Sequence, residues 1–330
     1  MTSTATIPVF RPTVGSFLPL FFAKFLFMRH LSTIILSTFF LAGSSASAAA
    51  QGLVSGFMAG KGHGSVVVSG TSERYDKVYL APEKVAGVPV FQEVRVNSLN
   101  LYATYGLSDK IDAVVSLPYI QSKGNANEAV INDYNRTPAT ASQGFTNTRQ
   151  GLQDITALLK FKAYSREIGS NVLDLLGAVS YSTPVSDYQT NTGLGYIIAI
   201  GNRATKYTAL GVAHLKTSTG VFATGQLGYS LRSGDVPNAL VGEAKLGYAG
   251  PKNYFEASAS FQESNGGTDI TEFGDIGKFT ATRVNFVRLG ASAYRPIAKG
   301  LGLTLGASTY VAGRNLGKST GYSAGVTYNF

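Results

Sequence analysis

The chain has 330 residues, a formal charge of +9 from 28 basic and 19 acidic side chains, 44% hydrophobic and only 14% charged residues, and neither Cys nor Trp. That length suffices for one large domain, and the lack of Cys removes disulfides, thiolate catalysis, thiolate metal sites and a lipidated Cys. A mean hydropathy of +0.08 is too low for a bundle of membrane helices, yet strands that alternate between lipid and a polar lumen average to such a value.

From Met28 the sequence reads MRHLSTIILSTFFLAGSSASAAAQ: basic Arg29, an apolar run from Leu31 to Ala42, and small residues suited to cleavage after Ala48 or Ala50. The reading is therefore an upstream extension plus secretory signal over 1–50 and one folded domain over 51–330. Lys24, Arg29 and His30 interrupt the apolar run and argue against an inner-membrane anchor. Removing Arg11, Lys24 and Arg29 takes the charge from +9 to +6. That mild excess suits anionic lipid headgroups and is no nucleic-acid signature.

After Gln51, alternating segments of roughly ten residues recur between turn residues, with no helix-period stretch of useful length. Strands are expected near 62–74, 92–106, 110–120, 150–164, 171–183, 205–216, 220–232, 238–249, 253–263, 282–295, 301–311 and 319–330. The connections alternate. Those at 107–109, 165–170, 217–219, 250–252 and 296–300 are tight, whereas 75–91, 121–149, 184–204 and 264–281 are long and largely polar, with 233–237 and 312–318 shorter members of the same set. The pattern is that of an all-β, transmembrane antiparallel up-and-down β-barrel of about twelve strands, with its short turns in the periplasm and its longer loops outside. A secreted soluble sandwich would not alternate its loops in this way.

The first strand opens on Gly60-Lys61-Gly62-His63-Gly64. A phosphate cradle needs a strand before it and a helix after it, so close backbone packing is the reading here. His63 and Ser65 have the His-x-Ser spacing of outer-membrane phospholipases, but no nearby Asn orients the His, and His214 likewise lacks a nucleophile or acid partner. Both are read as polar barrel residues, and catalytic groups, metals and cofactors are expected to be absent. In the third strand Pro118 lacks the N–H that a closed sheet would use, which marks a kink and a candidate opening in the wall.

Parity assigns the faces. Ile155, Ala157, Leu159, Phe161 and Ala163 should face lipid, with Asp154, Thr156, Lys160 and Lys162 inside; Leu227 and Tyr229 oppose Gln226 and Ser230; and Phe255, Ala257, Ala259 and Phe261 oppose Glu256, Ser258, Ser260 and Gln262. Val287, Leu289, Ala291 and Ala293 oppose Arg288, Ser292 and Tyr294 in the same way. An Arg or Lys in hydrocarbon costs roughly 2–4 kcal/mol at the midplane, so the charges should point inward and pair. Asp154, Lys160, Lys162, Gln226, Glu243, Lys245, Glu256, Arg288 and Tyr294 are the lumen-lining candidates. In the loop at 264–281, Asp269, Glu272 and Asp275 match no calcium-loop spacing and read as solvated acids.

The chain ends TGYSAGVTYNF, with Tyr322, Ala324, Val326, Tyr328 and Phe330 on one face and small or polar residues on the other. This strand should close the barrel. Gly325, Tyr328 and the terminal Phe330 resemble the signal read by the barrel-assembly machinery. That machinery, outer-membrane lipid, lipopolysaccharide and a small solute are then the expected partners.

Tyr105-Gly106-Leu107-Ser108-Asp109-Lys110-Ile111-Asp112, Ser116-Leu117-Pro118-Tyr119, Gly151-Leu152-Gln153-Asp154-Ile155 and Leu159-Lys160-Phe161-Lys162 resemble a family of outer-membrane transporters associated with the meta pathway of phenol degradation. That family is distantly akin to long-chain fatty-acid channels, and Gln153 stands where it usually has Gly. The resemblance implies passive uptake of small hydrophobic or aromatic solutes across the outer membrane of a Gram-negative bacterium. On the residues alone, the expectation is a channel through a charged, Tyr-lined lumen narrowed by inward folding of 121–149; a structural or adhesive barrel that binds partners through its loops, and an enzymatic barrel, are the alternatives.

Overall fold

The computed structural model describes residues 54–81, 84–88, 91–126, 147–190, 197–270 and 276–330. The signal segment expected over 1–50 and most of the 121–149 loop lie outside these residues. The strands are, in chain order, β1 (Gly64–Tyr75), β2 (Lys77–Leu80), β3 (Lys84–Gly87), β4 (Glu93–Ser108), β5 (Ile111–Asn125), β6 (Thr148–Leu152), β7 (Asp154–Ile168) and β8 (Asn171–Pro184). They continue with β9 (Lys206–Lys216), β10 (Val221–Arg232), β11 (Asn238–Ala249), β12 (Tyr254–Asn265), β13 (Asn285–Ala298), β14 (Leu301–Arg314), β15 (Leu316–Gly317) and β16 (Thr320–Asn329). β6 and β7 form one wall strand interrupted at Gln153, and with β1, β4, β5, β8–β14 and β16 they make a closed antiparallel barrel of 12 strands.

The last strand closes the ring. β16 pairs with β14 on one side and with β1 on the other, from Ser65↔Asn329 to Arg74↔Thr320. Along β16 the outward Tyr322 is 67% exposed while inward Ser323 and Thr327 are buried, and outward Leu305 on β14 is 63% exposed. A belt of such side chains is stable only against hydrocarbon, and the closed ladder leaves no backbone edge unpaired there.

The connections β4–β5, β7–β8, β9–β10, β11–β12 and β13–β14 are tight and lie at one end, which is the turn end; the remaining connections form the loop end. Gly169 and Gly300 take φ of 62° and 75° in two of the tight turns, a conformation that glycine reaches without strain. The loop end is more ordered than sequence periodicity suggests. β15, β2 and β3 form a separate three-stranded sheet across it, and Ile276–Ala281 is a 3-10 helix. Of the segment 184–204, expected to be an outward polar loop, residues 184–190 and 197–204 are described, and the second stretch packs against the loop end. Ile198 is fully buried with Val88, Phe91 and Val94, and the Tyr75 hydroxyl donates to the Ile197 carbonyl at 2.8 Å.

Pro118 sits where the wall changes register. Tyr119 pairs with Leu152 and Ser116 with Thr156, which leaves Leu117 and Pro118 opposite an extra residue at Gln153. The Pro118 carbonyl accepts from Gln153 N–H at 2.9 Å. In an antiparallel ladder a residue's N–H and C=O point to the same neighbour, so the missing donor lies on the β6/β7 side and pairing with β4, at Asn100, continues unbroken.

Candidate functional site

The lumen is occupied. Before β1 the chain enters the barrel as a strap, Val54–Ala59, held largely through its main chain. Lys160 Nζ donates to the Ser55 carbonyl at 3.2 Å and to that of Phe57, Gln226 Nε2 donates to the Val54 carbonyl at 3.1 Å, and Ala59 N–H donates to Asp112 Oδ2 at 3.1 Å. The Phe57 ring lies edge-on to His214 and Phe222 at 4.4 and 5.1 Å, and Val54 packs with Ala178, Leu210, Ala239 and Val241. Gly56 is buried against His214, where a Cβ would overlap the imidazole. The glycines after the strap pack backbone to backbone, since a Cβ on Gly106 would run into the Gly60 carbonyl.

Several of the inward charges form pairs. Lys160 and Asp112, 2% and 0% exposed, meet at 3.0 Å; Lys245 lies 3.4 Å from Glu243, which also accepts from Gln226; and Arg288 meets Glu73 at 2.5 Å. Asp154 accepts from Lys206 at 2.9 Å and from the Tyr188 hydroxyl at 2.6 Å. Burial, with the Asp154 carboxylate beside it, pushes the Tyr188 hydroxyl above the ordinary phenol range. Asp174 gathers Lys216 at 3.0 Å, Lys162 at 3.9 Å and the Ser165 hydroxyl at 2.5 Å. Glu256 accepts from Tyr254 and Ser292, and Tyr294, buried, takes a bond from Asn329. Lys160 lies beneath the strap and does not line open water. Removing one partner from such a buried pair costs about 3–5 kcal/mol, since a lone charge is left out of water.

At the loop end lies an apolar cavity of about 630 Å³, lined by Tyr75, Val78, Ile197, Ile200, Phe279, Phe286, Tyr310 and Leu316 among others. The Asp269 carboxylate braces its wall by accepting from Arg314 and from Asn315 Nδ2, and Asn315 in turn donates to the Arg283 carbonyl. Asp269 is therefore a buried, paired acid, where the sequence suggests a solvated one; Glu272 and Asp275 lie outside the described residues. The Arg314 guanidinium holds the Asp269 carboxyl below its ordinary value near 3.8.

One end of this cavity adjoins the register break. Ile200 and Gly201 line it, Ile200 Cδ1 sits 3.6 Å from where a Gly151 Cβ would be, and Gln153 Nε2 lies 2.8 Å from a Cβ position on Gly201. Gln153 Nε2 is buried and makes no hydrogen bond. Gly325 packs against Ser69 on β1, while Tyr328 and Phe330 face outward and stack at 6.1 Å. The Ser65 hydroxyl is buried and makes no hydrogen bond, so no His63–Ser65 dyad forms, and His214 Nδ1 is engaged by Thr224 at 2.7 Å. Among the described residues no cluster of metal-ligating side chains occurs.

Among solved structures the chain is similar to the COG4313 outer membrane channel from Pseudomonas putida F1, at 12% identity and a TM-score of 0.61, over 82% of this chain and 96% of that one. The chain has the fold of an outer-membrane β-barrel. Looser likenesses include the translocator domain of the autotransporter NalP from Neisseria meningitidis (12% identity, TM-score 0.43, 82% and 90% covered). Another is a deletion mutant of the TodX monoaromatic hydrocarbon channel (10% identity, TM-score 0.39, 82% and 90% covered). No protein-family model matches the chain, and no curated protein matches it.

Proposed function

We propose that the protein is an outer-membrane channel for passive uptake of small hydrophobic or aromatic solutes, with its loop end outside and its turn end in the periplasm. The observation that carries this reading is the apolar cavity at the loop end. Its volume of about 630 Å³ falls within the roughly 300–1,000 Å³ usual for small-molecule sites, and aromatic and aliphatic side chains dominate its lining. Below it the lumen is strapped and polar, so an apolar solute gains little by continuing downward. The register break at Pro118, next to the Gly201 end of the cavity, gives such a solute a sideways path into the bilayer.

Uptake of N-phenyl-1-naphthylamine, which fluoresces on entering membrane, tests the reading in intact cells with and without the protein in their outer membrane. Expression should accelerate the fluorescence rise, and Ile200→Asp, which places a charge in the cavity, should remove the acceleration. Equal rates in expressing and empty cells, with the barrel correctly inserted, would refute it.

A further inference from the structure

Toward the loop end, the outward face of three neighbouring wall strands carries cations side by side. Val68 on β1, Leu99 and Leu101 on β4 and Tyr119 on β5 are exposed on that face, and period two continues it to the exposed Arg74, Arg95 and Lys123. Register sets these three level with one another, since Arg74 pairs with Arg95 and Arg95 with Lys123. Like charges directly opposite in a sheet repel, and this row spans only about 10 Å. Among the described residues Arg74 and Lys123 make no ion pair, and Arg95 meets only Glu93 at 3.4 Å, a surface contact of little worth. On the side away from the loops comes a row of amides, where Ser72 donates to Asn97 at 2.8 Å and Gln121 to Gln150 at 2.9 Å; the apolar band then begins with Leu99, Tyr119 and Leu152. On β4 that band runs from Leu99 to Leu107, roughly 21 Å of height at a strand tilt of about 40°, which sets the cations about 10 Å beyond its edge, in the headgroup layer.

We propose that this patch binds a phosphorylated glycolipid of the outer leaflet, with its phosphate monoesters on Arg74, Arg95 and Lys123, its sugars against the amide row and its acyl chains along Leu99 and Tyr119. The inference rests on the loop end facing outward and is independent of what the lumen carries. The wall repeats the order of such a lipid: acyl chains, then amide- and ester-linked sugar, then phosphate. A phosphate monoester carries about −1.5 to −2 charges and three acceptor oxygens, so it answers three clustered cations better than the single charge of a phosphodiester lipid does.

The probes are hexa-acylated diphosphoryl lipid A, the same lipid stripped of both phosphates, and phosphatidylglycerol, each added to the full-length barrel in detergent and read by native mass spectrometry. Diphosphoryl lipid A should bind at least tenfold more tightly than either of the others. Arg95→Gln with Lys123→Gln should remove that advantage at unchanged heat-modifiable mobility, and Arg74→Gln, should the double variant fail to fold, should cut it severalfold. Arg295→Gln with Lys299→Gln, which deletes two exposed cations at the turn end, should leave it intact. Undiminished binding after the patch substitutions, or an equal loss after the turn-end ones, would overturn the site; phosphatidylglycerol bound as tightly as lipid A would overturn the glycolipid as its occupant. Orientation is read separately. The chain has no Cys, so Lys84→Cys on the loop-end sheet should take up an impermeant maleimide on intact cells. Labelling only after lysis would put the patch in the inner leaflet and overturn the proposal through the orientation alone.

Discussion

Replacing Gly56 with Val tests whether the strap obstructs the pore without altering any wall strand. The strap gains roughly 7–15 kcal/mol gross from the charge-assisted bonds of Lys160 and Asp112, the Gln226 bond and the burial of Val54 and Phe57. Ordering six residues of main chain costs about 6–12 kcal/mol. The two differ by only a few kcal/mol, so the strap is seated with a small margin. A Cβ at position 56 overlaps the His214 ring. Relief of such overpacking costs about 1–3 kcal/mol, which shifts the ratio of seated to unseated strap by roughly 5- to 150-fold. In planar bilayers Gly56→Val should raise the open fraction toward that of a variant lacking residues 54–59, with heat-modifiable mobility on gels unchanged. Unaltered conductance in both variants would show that the strap is not the barrier.

Pro118→Val supplies the donor missing on the β6/β7 side and should slow uptake of N-phenyl-1-naphthylamine while leaving sugar flux through the strap-deleted barrel unchanged; equal slowing of both would remove the sideways path. Phe330→Ala keeps the backbone bonds between Phe330 and Gly64 but deletes an outward ring, so stability should hardly change while the amount inserted in the outer membrane falls. Undiminished insertion would remove the recognition role given to that ring. The Asp269 carboxyl titrates below its ordinary value, so its contribution to the cavity wall is complete above about pH 4 and is lost as pH falls through the depressed value. Benzyl alcohol affinity should accordingly fall in acid, and Asp269→Asn should be weak at neutral pH and insensitive to acid; an equal acid loss in Asp269→Asn would assign the effect elsewhere.

The wall was legible because period two leaves a strong mark when one face is apolar: Leu159 and Phe161 alternate with Lys160 and Lys162. Tight turns and long loops then set the order. The strap was not legible, since Val54–Ala59 has no period and its partners bind its carbonyls, which every residue carries. The loop-end cavity draws on β1, β2, β13, β14, β15 and two loops, a combination that only the folded chain brings together. One signal was present: Ile197, Ile198 and Ile200 form an apolar run inside an otherwise polar loop, and such a run needs somewhere to bury. Parity assigns each charge a face, but pairing depends on register between strands, which the sequence of one strand does not state.

A grip made on carbonyl oxygens is indifferent to side chains. Lys160 and Gln226 would hold the main chain of almost any short peptide that offers a glycine opposite His214 and an aromatic ring after it. The barrel interior is in that sense a receptor whose resident ligand happens to be tethered. Deleting the tethered copy should leave a vacancy that an added hexapeptide can fill, so the blocked state becomes a matter of peptide concentration.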